Sequence, residues 1–150
     1  MKNKDILELK ESTAVVTHLS FIQSIIARMA NNSINCKILV ATILTIVVTL
    51  LVGFNNYTNY WWITIIIIAY GLISDSYYLA FERNFRESYN EFVKKINDRK
   101  LSVKDIYVIK SKKGGCYCEF PIKVIQAMTS FSVWTYYLTL GVICYIIKII

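Results

Sequence analysis

Three long stretches of this chain are apolar and almost free of charge, and a chain so built has few folds open to it. Residues 38–54 contain no Asp, Glu, Lys or Arg, residues 57–81 contain only Asp75, and residues 124–147 contain none. About 20 apolar residues in a helix, rising about 1.5 Å each, cover the hydrocarbon of a bilayer. Each block therefore reads as a membrane span. The chain has 150 residues and is 55% hydrophobic, and that apolar content is concentrated in the blocks rather than spread through a soluble core. The expected fold class is an all-α integral membrane protein, with three transmembrane helices and amphipathic cytoplasmic helices extending the first hairpin. One membrane domain covers residues 1–150. A cytoplasmic amphipathic helix occupies 1–36, the spans are 37–55, 57–81 and 130–150, and a cytoplasmic helix and basic loop fill 82–129.

Basic residues set the expected orientation, because Lys and Arg are retained in the cytoplasm. Five precede the first span (Lys2, Lys4, Lys10, Arg28 and Lys37), none lies in the turn 55–59, and eleven lie in 82–123. Only Lys148 follows. The N-terminus is therefore placed inside, the turn outside, the middle segment inside and Ile150 at the outer face of a cell membrane. The formal charge of +7 is accounted for by this topology, so no nucleic-acid partner is expected. Tyr57, Tyr60, Trp61 and Trp62 then form an outer aromatic belt, and Tyr77, Tyr78, Phe81, Trp134, Tyr136 and Tyr137 an inner one. Pro121 is expected at the first position of a short interfacial helix through Met128, since proline lacks an N–H that a first turn does not use.

In the N-terminal segment, Val15, Leu19, Ile22, Ile26 and Met29 recur at spacings of four and three, a stripe that faces a partner surface. Asn31, Asn32, Ser33 and Asn35 are expected to interrupt that helix, because these side chains compete for backbone groups. After the second span, Phe85, Tyr89 and Phe92 continue at helical spacing, with Glu82–Arg86, Arg83–Glu87 and Glu91–Lys95 as i,i+4 pairs opposite them. The two cytoplasmic helices are expected to pair. The segment 101–120 reads as a basic loop against anionic lipid heads, with a short strand at 106–109.

Catalytic chemistry finds no foothold. His18 is the lone histidine, and the Cys116-x-Cys118 pair supplies two of the four ligands a structural zinc needs. The Gly114-Gly115 turn lacks the rest of a phosphate-binding loop. The expectation is no enzyme activity, no metal and no cofactor. Polar groups inside the spans are more informative, since they cost most there. Thr42, Thr45 and Thr49 share one face of the first span, expected either to pack closely on a helix or to line a pore between copies. Thr64, Gly71 and Asp75 share a face of the second, and Ser132, Thr135 and Thr139 one of the third. Lys37 lies about as far before the hairpin turn as Asp75 lies after it, so the two reach one depth and are expected to form a register-setting charge pair.

Two stretches carry a resemblance. Arg28-Met29-Ala30-Asn31-Asn32-Ser33, at the end of an amphipathic helix, and Asp75-Ser76-Tyr77-Tyr78-Leu79-Ala80-Phe81-Glu82-Arg83, leading out of the second span, resemble a group of small bacterial three-span membrane proteins. The entry to the third span, 130–137, also looks like that group's; the basic loop does not. The layout is more loosely similar to the SLATT-type effectors of bacterial antiphage defence. That resemblance implies an oligomeric effector that permeabilises the inner membrane, partnered by the lipid bilayer, by further copies of itself and by a separate cytoplasmic sensor. The alternative is a membrane anchor or scaffold whose cytoplasmic helices recruit a soluble enzyme.

Overall fold

The computed structural model describes residues 12–54, 56–98, 100, 101, 105, 106 and 119–149. Within them the chain is helical: α1 Thr13–Gly53, α2 Tyr57–Tyr60, α3 Trp62–Asn97, α4 Glu119–Met128 and α5 Phe131–Ile149. Among the described residues there is no strand. The strand expected at 106–109 and the Cys116-x-Cys118 and Gly114-Gly115 features lie outside the described residues, apart from Ile106, which is in a turn. The helices α1, α3 and α5 are each long and apolar enough to cross a membrane.

The first helix runs 41 residues without a break, about 60 Å. The interruption expected at Asn31, Asn32, Ser33 and Asn35 does not occur. Each of these residues costs only some tenths of a kcal/mol in a helix interior, and their neighbours on both sides are packed. Ser33, moreover, directs its hydroxyl to Asp75 on α3 and so leaves the backbone alone. The run 42–49 (Thr, Ile, Leu, Thr, Ile, Val, Val, Thr), β-branched except at Leu44, would favour a strand in water. A helix instead satisfies every backbone group within its own segment, as an apolar solvent would require. The helix ends where Gly53 removes side-chain support and the Phe54 N–H turns back to the Leu50 carbonyl at 3.1 Å.

The α3 helix lies antiparallel along α1, and this pair forms the most extensive interface in the molecule. Its register is marked at three levels. Val15 packs with Phe92 and Ile96, Gln23 reaches the Tyr89 hydroxyl at 3.2 Å, and Val40 meets Gly71. The α3 helix closes with Lys94 and Lys95 in its last turn, where cations oppose the carbonyl end of the helix dipole.

The α4 helix packs on α3 and buries Ala127 fully. It begins at Glu119, two residues before Pro121, not at the proline as expected. The third position is still within the turn whose N–H groups have no helical acceptor, so the proline is tolerated there as well. Lys123 fixes α4 to α3, reaching Glu87 at 2.9 Å and Asn84 at 3.4 Å. Arg83 donates to the Ser130 hydroxyl at 3.0 Å. Arg83 and Glu87, expected to pair with one another, thus reach to the segment leading into α5, and Lys95 turns to Asp105 at 2.8 Å. A local i,i+4 pair contributes only ~0.2–0.5 kcal/mol, so a tertiary partner readily displaces it. The Glu82–Arg86 pair is kept, at 2.8 Å.

The α5 helix packs on α3 beside the half of α1 that follows Lys37. Near its end, the Tyr57 hydroxyl donates to the Cys144 carbonyl at 2.8 Å, and the Lys148 ammonium lies 3.8 Å above the Trp61 ring. The end of α5 and the turn between α1 and α3 therefore share one end of the bundle.

Candidate functional site: a buried polar junction of three helices

Asp75 sits midway along α3 and is 0% exposed. A buried carboxylate needs charge and hydrogen-bond partners, and α1 supplies both. The Ser33 hydroxyl bonds Oδ1, and the Lys37 ammonium lies 2.7 Å from Oδ2, a charge contact without the alignment of a hydrogen bond. Ser33 and Lys37 are four residues apart on one helix, hence on one face, and the ammonium also donates to Ser33 Oγ at 3.2 Å. The Lys37 side chain is 20% exposed, so the ammonium keeps a route to the surface that the carboxylate lacks.

The third helix meets the same residue from another direction. The Tyr136 hydroxyl donates to the Lys37 backbone carbonyl at 2.8 Å. Lys37 therefore holds α3 through its side chain and α5 through its backbone. One turn before Asp75, Gly71 lets the helices close: a Cβ there would stand 2.5 Å from Val40 Cγ2 and 2.9 Å from Tyr137 Cε1. Tyr137 is 3% exposed, and its hydroxyl has no hydrogen-bond partner. Ser76, fully buried beside Asp75 in sequence, turns its hydroxyl back to the Leu72 carbonyl at 2.6 Å.

The structure distributes the residues singled out from sequence unequally. Of the stripe on α1 and its partners on α3, Val15, Ile22 and Phe92 are buried, while Leu19, Ile26, Met29, Phe85 and Tyr89 are half-buried. The inward line is Val15, His18, Ile22 and Ile25, rotated slightly from the expected one. Selection by hydrophobicity passes over His18, whose ring lies 4.3 Å from that of Phe92. Burial pushes the pKa of the His18 imidazole below its ordinary value. Thr42, Thr45 and Thr49 are all exposed, on the side of α1 opposite Ser33, Val40 and Leu44. Thr42 and Thr45 bond their own helix, at the Ile38 and Ala41 carbonyls. Among the described residues, these two hydroxyls bond no other helix, and all three threonines stay exposed. Ser132, Thr135 and Thr139 are likewise exposed, whereas Thr64, Gly71 and Asp75 point inward. Sequence reasoning missed Ser33, Tyr136 and Tyr137 as members of the junction. A hydroxyl in an apolar block has no strict periodicity and is cheap enough to sit anywhere along it.

Comparison with protein-family models, with curated proteins and with solved structures gives no match. Among the described residues the fold is all-helical, with three helices long and apolar enough to cross a membrane and the Lys37–Asp75 charge pair where they meet.

Proposed function

We propose that the chain is an integral protein of the bacterial inner membrane, N-terminus cytoplasmic and C-terminus outside, whose copies assemble and permeabilise that membrane without catalysing a reaction. One observation carries the reading: the outer face of α1. From Thr13 to Asn31 that face presents Thr13, Thr17, Ser20, Ser24, Ala27 and Asn31, all exposed and all small or uncharged. It continues as Thr42, Thr45 and Thr49 in the apolar half. The whole of α1 carries two formal charges, Arg28 and Lys37. In α3, by contrast, residues 82–97 alone carry seven. A solvent-facing helix surface is ordinarily charged, and small side chains allow helices to approach closely. Contact between α1 helices of neighbouring copies explains both departures. A ring of such helices would turn threonine hydroxyls toward its centre, and a single three-helix chain cannot enclose a water-filled path.

The resemblance to small bacterial three-span proteins and to SLATT-type effectors adds a setting, antiphage defence under a separate cytoplasmic sensor. Purified protein in liposomes is expected to release a trapped dye and to run as a multimer in mild detergent. Multimers without dye release would leave the scaffold reading, and monomers without release would remove the assembly itself.

A further inference from the structure

The Tyr137 hydroxyl is buried at the junction yet bonds nothing, in a bundle where other buried hydroxyls are satisfied. Leaving such a group unpaired is unfavourable, and phenylalanine would pack as well without it. Its ring lies against Gly71, one turn from Asp75 on the same face of α3. Among the described residues, the other buried side-chain oxygen without an aligned hydrogen bond is Asp75 Oδ2, which faces the Lys37 ammonium. One junction thus holds an acceptor met only by a charge and a donor met by nothing.

We propose that Asp75 exchanges partners between two states of the bundle. In the state described here Lys37 holds Oδ2. In the second, the ammonium withdraws along its exposed side, water enters, and the Tyr137 hydroxyl donates to Oδ2. Tyr137 is then a positioning residue of the open bundle and idle in the closed one. The exchange engages α5 because Tyr137 belongs to that helix, and its hydroxyl must approach α3 to reach Oδ2. The inference rests on the permeabilising function proposed above, for which the exchange is the gate. Nothing covalent changes, and the proton on each oxygen stays where it is.

The test uses full-length protein with Cys116, Cys118 and Cys144 replaced by Ala, so that Cys36, half-buried beside Lys37, is the single thiol. Three quantities are read: melting temperature in detergent, dye release from liposomes, and the rate at which a water-soluble maleimide labels Cys36. Tyr137→Phe is expected to keep or raise the melting temperature while cutting release and labelling severalfold. Lys37→Met is expected to raise labelling severalfold, and Tyr137→Phe in that background to reverse the rise. Asp75→Leu combined with Lys37→Met removes the acceptor without a stranded charge, and there Tyr137→Phe should change nothing. A fall of several degrees with Tyr137→Phe alone would show a bond already made in the closed state and overturn the proposal. So would a labelling rate insensitive to Tyr137 in both the Lys37→Met and the wild-type background. If no variant releases dye, the labelling arm still decides the exchange, and the failure belongs to permeabilisation instead.

Discussion

A single charge in a long apolar block is the most legible residue in this chain. Asp75 stands out because an unpaired carboxylate among apolar side chains is costly, and Lys37 is matched to it by counting outward from the hairpin turn. Their 2.7 Å approach is therefore accessible to arithmetic, whereas the Ser33 hydroxyl and the Tyr136 bond to a backbone carbonyl are not. Burial makes the pair asymmetric. Lys37→Gln strands a fully buried carboxylate, and breaking a buried pair in that way costs about 3–5 kcal/mol. Asp75→Asn leaves a partly exposed ammonium that can turn outward, so it should cost clearly less. Thermal unfolding of both single variants and the double in detergent should give a coupling energy above about 1 kcal/mol; a value near zero would mean the two charges act independently. Gly71→Ala is a second residue-level prediction. The added methyl must push Val40 and Tyr137 away, at a cost of about 1–3 kcal/mol, and so lower the melting temperature. His18 supplies a third. Its folded pKa lies below its unfolded value, so the unfolded chain binds the proton more readily. The stability it contributes is complete above the unfolded value of about 6.5 and is lost as pH falls through the folded one. Melting curves between pH 7.5 and 5 should show this loss, and His18→Phe should flatten that part of it.

Among the elements, the apolar blocks locate α1, α3 and α5 because a charge-free run of that length has one stable conformation in an apolar solvent. The ends of the elements were harder to read. Propensity placed a break at 31–35 that tertiary packing overrides, and it placed the start of α4 at Pro121, two residues late. The inward line of α1 lies a fraction of a turn from its apolar stripe because a buried histidine does not register as apolar. The threonine stripe belongs to this scale, since its orientation follows from the helix rather than from any one residue. Thr45→Leu places a bulkier group on the outer face of α1 and should reduce multimer size and dye release, while Thr45→Ser should leave both nearly unchanged. Unchanged multimers with leucine would mean that the stripe meets lipid.

For the molecule as a whole, the antiparallel pairing of α1 with α3 continues well past the charge-free blocks, to Val15 of α1 packed on Phe92 and Ile96 of α3. In the topology proposed above, the basic residues put that lower part in the cytoplasm. Thiol labelling of intact cells should therefore modify Asn56→Cys and spare Lys112→Cys, and the opposite pattern would invert the topology. The bond from Tyr136 to the carbonyl of Lys37 has a consequence of its own. Every residue type offers the same carbonyl, so no replacement at position 37 can remove that acceptor, and proline alone would bend the helix that presents it. Random variation at 37 thus breaks the side-chain hold on α3 but leaves the bond from Tyr136 in place, and that bond can be lost only from its own side. In a population of mutated chains, losses of the third helix should map to position 136 and its neighbours and spare position 37.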